Sequence, residues 1–248
     1  MTPDHRGRTV ALVVAGMLVA GLVALGLYAG TRPAPTLTAR QVDTVAQAPA
    51  PGDEPASGAT TPRRSAGQAV SPSWVSETSS ASGVPAPAVR AYGSATLRAS
   101  RDDPGCHLGW TTLAGIGWVE SQQGTTDGRE LLADGRPDRA IRGVALDGAG
   151  DVAAVPDGSG GFQRALGPLQ FIPSTWQRWA ADGDGDGVQD PQDVDDAALA
   201  AARYLCSSGA DLATGPGWSA AVFSYNHSNL YVRSVYDAAK AYADRTSS

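Results

Sequence analysis

The chain has 248 residues, is 42% hydrophobic and 18% charged, and carries a formal charge of −6. That length holds at least one domain with its own core. Nineteen basic residues against 25 acidic ones, with Lys240 as the one lysine, leave no basic stripe and disfavour nucleic acid as a partner. Three histidines and no Cys-x-x-Cys pair argue against a zinc site.

Residues 1–9 form a short tail with His5, Arg6 and Arg8, and Val10 to Tyr28 then runs apolar without a charge. About 20 apolar residues cross a bilayer core as a helix. A transmembrane anchor over 10–30 is therefore expected, with the basic flank keeping the tail cytoplasmic and the remainder outside. A cleaved signal peptide, giving a secreted protein, is the competing reading, but its apolar region is usually only ~7–15 residues. Residues 31–77 read as a disordered linker: Pro33, Pro35, Pro49, Pro51, Pro55, Pro62 and Pro72 recur among Ala, Thr, Ser and Gly. Such a composition buries too little surface to fold. As a coil it spans roughly 35–40 Å on average, so it reads as a tether.

Residues 78–248 are expected to form one mainly α domain. Helical periods cover Pro85–Ala99, Leu108–Ser121, Ser174–Ala181, Asp195–Leu205, Trp218–Asn226 and Leu230–Ala243. Asp195 or Asp196 caps the fourth of these, and Ser207-Ser208-Gly209 ends it. The Gly/Asp-rich stretch from Gly124 to Gly167 has no strong period, and a loop that long reads as a cleft wall or lid. Cys106 and Cys206 are the only cysteines. An even count in an exported chain reads as one disulfide.

Four places carry chemistry. Glu120 closes the second helical segment, with Leu113, Ile116 and Gly117 at spacings that share its face. The other glutamates, Glu54, Glu77 and Glu130, lie on no apolar period. A carboxyl on an apolar face tends to stay protonated, as a general acid must near neutral pH. In Gly167-Pro168-Leu169-Gln170-Phe171-Ile172-Pro173, two prolines fix an irregular backbone that offers the amide of Gln170 to a ligand or to the chain itself. From Asp182 to Asp193 the sequence follows an EF-hand-type Ca²⁺ loop: Asp182, Asp184 and Asp186 at positions 1, 3 and 5, Gly187 at 6, the Val188 carbonyl at 7 and Asp193 at 12. Asp is one methylene shorter than the usual Glu at position 12, which predicts weaker closure around a structural calcium. Last, Tyr225, Asn226 and Tyr231 cluster at a helix junction, where rings and amides suit sugars.

Together these segments resemble the lytic transglycosylase B family, and within it the exported actinobacterial-type members. The resemblance covers about Val84 to Ala243. It rests on Glu120-Ser121-x-x-Gly124, Gly167–Trp176, the Asp182 loop, Ala200-Ala-Ala-Arg203-Tyr204-Leu205-Cys206, and Ser224-Tyr225-Asn226 with Tyr231, in family order. It implies a lysozyme-like helical fold whose partner is the glycan strand of peptidoglycan. The implied reaction cleaves the β-1,4 bond between N-acetylmuramic acid and N-acetylglucosamine without water and leaves a 1,6-anhydro ring. The resemblance makes Glu120 the catalytic acid and then base, with no catalytic cofactor. Gln170, Tyr225, Asn226 and Tyr231 line the site, and Ser121 and Phe171 flank it. Two positions depart from the family: Gly161 stands nine residues before Gln170 where a serine is usual, and Leu169 replaces a common methionine. A hydrolytic muramidase would instead need a second carboxylate, for which Asp127 and Glu130 are candidates. A non-catalytic wall-binding or scaffold module is the third reading.

Overall fold

A computed structural model describes residues 70–149 and 154–247. The expected anchor at 10–30 and most of the linker lie outside these residues, and no described helix is long and apolar enough to cross a membrane. The described chain forms α1 (Pro72–Ser82), α2 (Ala86–Asp102), α3 (Trp110–Ser121), β1 (Arg142–Ala145), β2 (Arg164–Leu166), α4 (Pro173–Trp179), α5 (Val194–Cys206), α6 (Gly215–Tyr225) and α7 (Asn229–Thr246).

Helix α1 corrects the end of the linker, because residues 72–77 are helical. The Ser71 hydroxyl accepts from the Trp74 amide at 3.1 Å, Pro72 occupies the first turn, and Gly83 ends the helix at φ 78°. Trp74 then meets Trp110 edge-on at 5.7 Å, tying the segment to the core. Its Pro/Ser-rich start reads as linker by composition, while the cap and one aromatic anchor decide the structure.

Two helix pairs build the core: α2 lies along α5, and α3 along α7. Ala197, Ala198, Ala200, Ala201 and Ala202 of α5 are fully buried, and such small side chains let the helix axes approach closely. Trp110, Trp218 and Tyr92 fill the space between elements. Full burial of a large apolar side chain contributes roughly 1.5–3 kcal/mol, and the Trp218 indole N–H keeps a partner in the Thr112 hydroxyl at 3.0 Å. Cys106 and Cys206 form the expected disulfide, with Cα atoms 5.4 Å apart across 100 residues of sequence. In the chain-entropy picture a loop of that size contributes up to about 4.7 kcal/mol.

Helix α3 is buried around nearly its whole circumference from Trp110 to Gly117. Two glycines in its interior each cost about 1 kcal/mol relative to alanine. Close packing explains them: a Cβ at Gly115 would stand 2.7 Å from the Val235 carbonyl of α7, and one at Gly117 would stand 2.1 Å from the Tyr92 hydroxyl.

Asp193 caps α5, accepting from the Asp195 amide at 2.9 Å, so the cap lies two residues before the expected Asp195. The 124–167 stretch, expected as a cleft wall or lid, is partly a two-stranded hairpin within the mainly helical domain. β1 pairs antiparallel with β2 through Arg142↔Leu166 and Ala145↔Arg164, with an irregular register between them. β1 alternates only between exposed and half-buried positions and sets Val144 on the exposed side, so its burial leaves no hydrophobic alternation in the sequence.

Candidate active site

The C-terminal turn of α3 presents Glu120 where helix burial gives way to an open surface. The carboxyl is partly covered, and α7 brings Tyr231 against it: the Tyr231 hydroxyl donates to Glu120 Oε1 at 2.6 Å. Desolvation raises the Glu120 pKa to about 7, and the Tyr231 hydrogen bond works against that rise. The carboxyl is thus poised to give and take a proton near neutrality. The phenols of Tyr225 and Tyr231 are pushed well above their ordinary range, first by burial and then by the negative charge of Glu120. Both stay neutral donors.

Tyr225 stacks parallel to Tyr231, with ring centroids 6.5 Å apart, and its hydroxyl donates to the Leu169 carbonyl at 2.9 Å. This bond joins the Gly167–Pro173 segment to the acid. Gln170 adopts φ 50°, and its amide donates to the Gly167 carbonyl at 2.9 Å. Its other amide atom lies by β1, where a Cβ on Gly143 would stand 2.8 Å from Oε1. Asn226 is exposed just beyond α6. Phe171 is buried and packs edge-on to Tyr225 at 5.8 Å, so it supports the Tyr225 ring from below. Ser121 is buried too. Its hydroxyl donates to the Pro168 carbonyl at 2.6 Å and accepts from the Gly124 amide at 2.8 Å. Its one donor is thus used inside the protein, where it clasps the turn after α3 to the Pro168 segment, and the residue also lines the groove beside Glu120.

Three features were not legible in the sequence. Gln122, Gln123 and Gly124 follow α3 with three successive positive φ angles, 53°, 66° and 86°. Gln123 offsets that local cost by accepting from the Tyr92 hydroxyl at 2.6 Å while donating to the Ala114 carbonyl at 2.8 Å and the Tyr242 hydroxyl at 3.1 Å. Tyr204 supports Tyr225 edge-on at 5.5 Å and donates to the Ser224 carbonyl. Trp118 lines an open groove of about 370 Å³ together with Glu120, Gln122, Thr126 and Ser234. A glutamine followed by glycine and a tryptophan within an apolar helical period are the sequence features that could have drawn attention to two of these. As for a second carboxylate, Asp127 is exposed and paired with Arg129 at 2.8 Å, and Glu130 is also exposed.

The Asp-rich loop folds as a tight oxygen cage. Asp182 accepts from the amides of Gly185 and Gly187 at 2.7 and 3.0 Å, and Asp186 from that of Val188 at 2.7 Å. Carboxylate oxygens of Asp182, Asp184 and Asp196 lie within 4.8 Å of one another. An all-oxygen donor set of this kind fits a hard cation such as Ca²⁺. The fold offers Asp196 beside Asp193 as a residue that could close this loop. Asp193 is buried as the α5 cap and faces Arg136 at 3.4 Å, and Asp186 also lies on the Arg136 side at 3.8 Å. Asp196, in the first turn of α5, sets its carboxylate beside those of Asp182 and Asp184 and accepts from the Gly183 and Asp190 amides at 2.6 and 2.8 Å. Chain direction is the reason: the helix starts at Val194, and its first turn brings residue 196 back over the loop.

The described domain is mainly helical, with one acid at the edge of an open groove. Residues 150–220 match the family model described as the transglycosylase SLT domain, and that match supports a peptidoglycan lytic transglycosylase. The matched segment holds Gln170 and the Asp-rich loop; Glu120 precedes it, and Tyr225 and Tyr231 follow it. Among solved structures, the chain is similar to the Escherichia coli lytic transglycosylase Slt35 in complex with bulgecin A, with 17% identity over 72% of this chain and 76% of that one, at a TM-score of 0.43. The same enzyme in complex with calcium is 16% identical over 72% and 77% of the two chains, at a TM-score of 0.42. No curated protein sequence matches the chain.

Proposed function

We propose that this protein is a membrane-anchored lytic transglycosylase of the B family, of the exported actinobacterial type, that cleaves peptidoglycan glycan strands with Glu120 as its single acid and base. The observation that carries the reading is the Glu120 carboxyl, raised to about 7 and held by the Tyr231 hydroxyl. Protonated Glu120 gives its proton to the glycosidic oxygen between N-acetylmuramic acid and N-acetylglucosamine, and that C–O bond breaks. The resulting carboxylate then takes the proton of the muramoyl C6 hydroxyl as this oxygen attacks the anomeric carbon. A 1,6-anhydro ring closes, water is not consumed, and Glu120 is protonated again. Because the nucleophile is intramolecular, the second carboxylate of hydrolytic glycosidases has no task here. The neutral Tyr231 steadies the carboxylate between the two transfers, while Gln170, Tyr225 and Asn226 contact the sugars.

The apolar segment 10–30 holds the domain at the outer face of the cell membrane, and the Pro-rich tether lets it reach the wall. Asp182, Asp184 and Asp196 hold a structural Ca²⁺ that takes no part in the proton transfers. Mass analysis of digested glycan tests the reading directly. Anhydromuramoyl ends are expected from the wild type, and Glu120→Gln is expected to lose at least ~10³-fold in rate, the scale of a lost general acid–base. Reducing muramoyl ends would instead establish a hydrolytic muramidase, and an active Glu120→Gln would exclude this acid altogether.

A further inference from the structure

Trp118 differs from the other five tryptophans. Trp74 meets Trp110, Trp176 meets Phe171, Trp179 meets Tyr204 and Trp218 meets Tyr236, all edge-on with centroids 5.4–5.9 Å apart. Trp118 is 48% exposed and has no ring partner among the described residues. It forgoes the apolar burial that the others gain. Single exposed aromatic residues are ordinary on protein surfaces. This one is set apart by its surroundings, because it forms a wall of the same groove that Glu120 opens into.

Apart from Val119, the rest of that groove is polar. Ser234 stands one turn along α7 from Tyr231, on the same face of the helix. Gln122 and Thr126 come from the turn after α3. The side-chain oxygen and nitrogen atoms of Gln122, Thr126 and Ser234 have no hydrogen-bond partner among the described residues. An apolar ring face bordered by free hydroxyls and an amide complements a pyranose, whose C–H face is apolar and whose rim carries hydroxyl and acetamido groups. The groove is continuous with the acid, so its occupant belongs to the chain being cut. We propose that Trp118, with Gln122, Thr126 and Ser234 around it, forms a binding subsite for a sugar ring of the glycan strand, adjoining the bond addressed by Glu120. The subsite rests on the glycan-cleaving reading of Glu120, and it assigns to Trp118 a binding role and no part in proton transfer.

The test is binding of a β-1,4-linked N-acetylglucosamine tetramer, and of purified glycan strands, to the full-length chain carrying Glu120→Gln. On that background, Trp118→Ala is expected to raise Kd at least fivefold, and Trp118→Phe to recover a large part of the loss. Intrinsic fluorescence should be quenched by the tetramer when Trp118 is present and lose most of that response in Trp118→Phe, a variant that keeps the ring and the fold. With Glu120 restored, the main effect of Trp118→Ala should be on KM rather than kcat. Unchanged Kd and an equal fluorescence response in both variants would overturn the subsite while leaving transglycosylation intact. Wild-type protein that binds glycan through Trp118 but makes no anhydro ends would sink the reaction and spare the subsite. A shift from dimer to monomer in Trp118→Ala, with glycan affinity unmoved, would assign the face to a second copy of the chain and also overturn the proposal.

Discussion

Two opposing effects meet at Glu120. Burial favours the protonated carboxyl, and the Tyr231 hydrogen bond favours the carboxylate. In the proposed reaction the acid form protonates the leaving oxygen, so activity should fall as pH rises through about 7. Tyr231→Phe removes the group that lowers the pKa, so the carboxyl should titrate higher and the alkaline limb of kcat/KM should move upward. A pH–rate profile reads this shift, and a limb that moves down or stays still would mean that Tyr231 does not set the titration. A higher pKa also makes the carboxyl a weaker acid, so the same variant should slow the step that protonates the leaving oxygen, and its gain at alkaline pH comes with a lower maximum. Glu120 was legible in the sequence because glutamate is scarce in this chain and this one lies on an apolar helix. Its partner was legible as a motif residue only. A bond between residues 111 positions apart follows from the packing of α3 on α7, which no local pattern encodes.

At the scale of elements, the acid is only as well placed as the end of α3. That end is fixed twice: by Gln123 inside the core, and by Ser121 on the Pro168 carbonyl. Ser121→Ala leaves the Pro168 carbonyl and the Gly124 amide without their buried partner, at a cost of about 1–3 kcal/mol. For a domain of this size a loss of 1 kcal/mol lowers Tm by roughly 2–4 °C, so a drop of about 2–12 °C is expected in thermal melting. A substrate contact at Ser121, the role its motif position implied, would raise KM and leave Tm in place. The two readings therefore separate in one variant. The helices were largely legible because their apolar periods and caps are strong. The β1–β2 hairpin was not, since its strands are short and carry Arg and Gly on surfaces that bury little. Helix α1 was missed for a related reason: its stabilising contact, Trp74 on Trp110, lies outside the helix itself.

For the whole molecule, the Asp-rich loop matters through what it joins. It runs from the end of α4 to the first turn of α5, and α5 is the alanine-lined partner of α2 in the core. A cation shared by Asp182, Asp184 and Asp196 would fasten the loop to α5 and gather carboxylates that otherwise repel one another. Binding to the folded state alone stabilises it by about 2.7 kcal/mol at a hundredfold excess over Kd, which corresponds to a rise in Tm of roughly 5–10 °C. Calcium should produce that rise in the purified chain, and a chelator should reverse it. The closing ligand can be identified by substitution, because sequence and structure disagree on it. Counting along the loop gives Asp193, whereas the fold presents Asp196. Asparagine caps a helix as well as aspartate does, so Asp193→Asn should keep the calcium-dependent part of Tm even if the Arg136 pairing is weakened. Asp196→Asn should lose most of it. The reverse outcome would restore the twelve-residue reading, and equal retention in both variants would mean that neither residue closes the site.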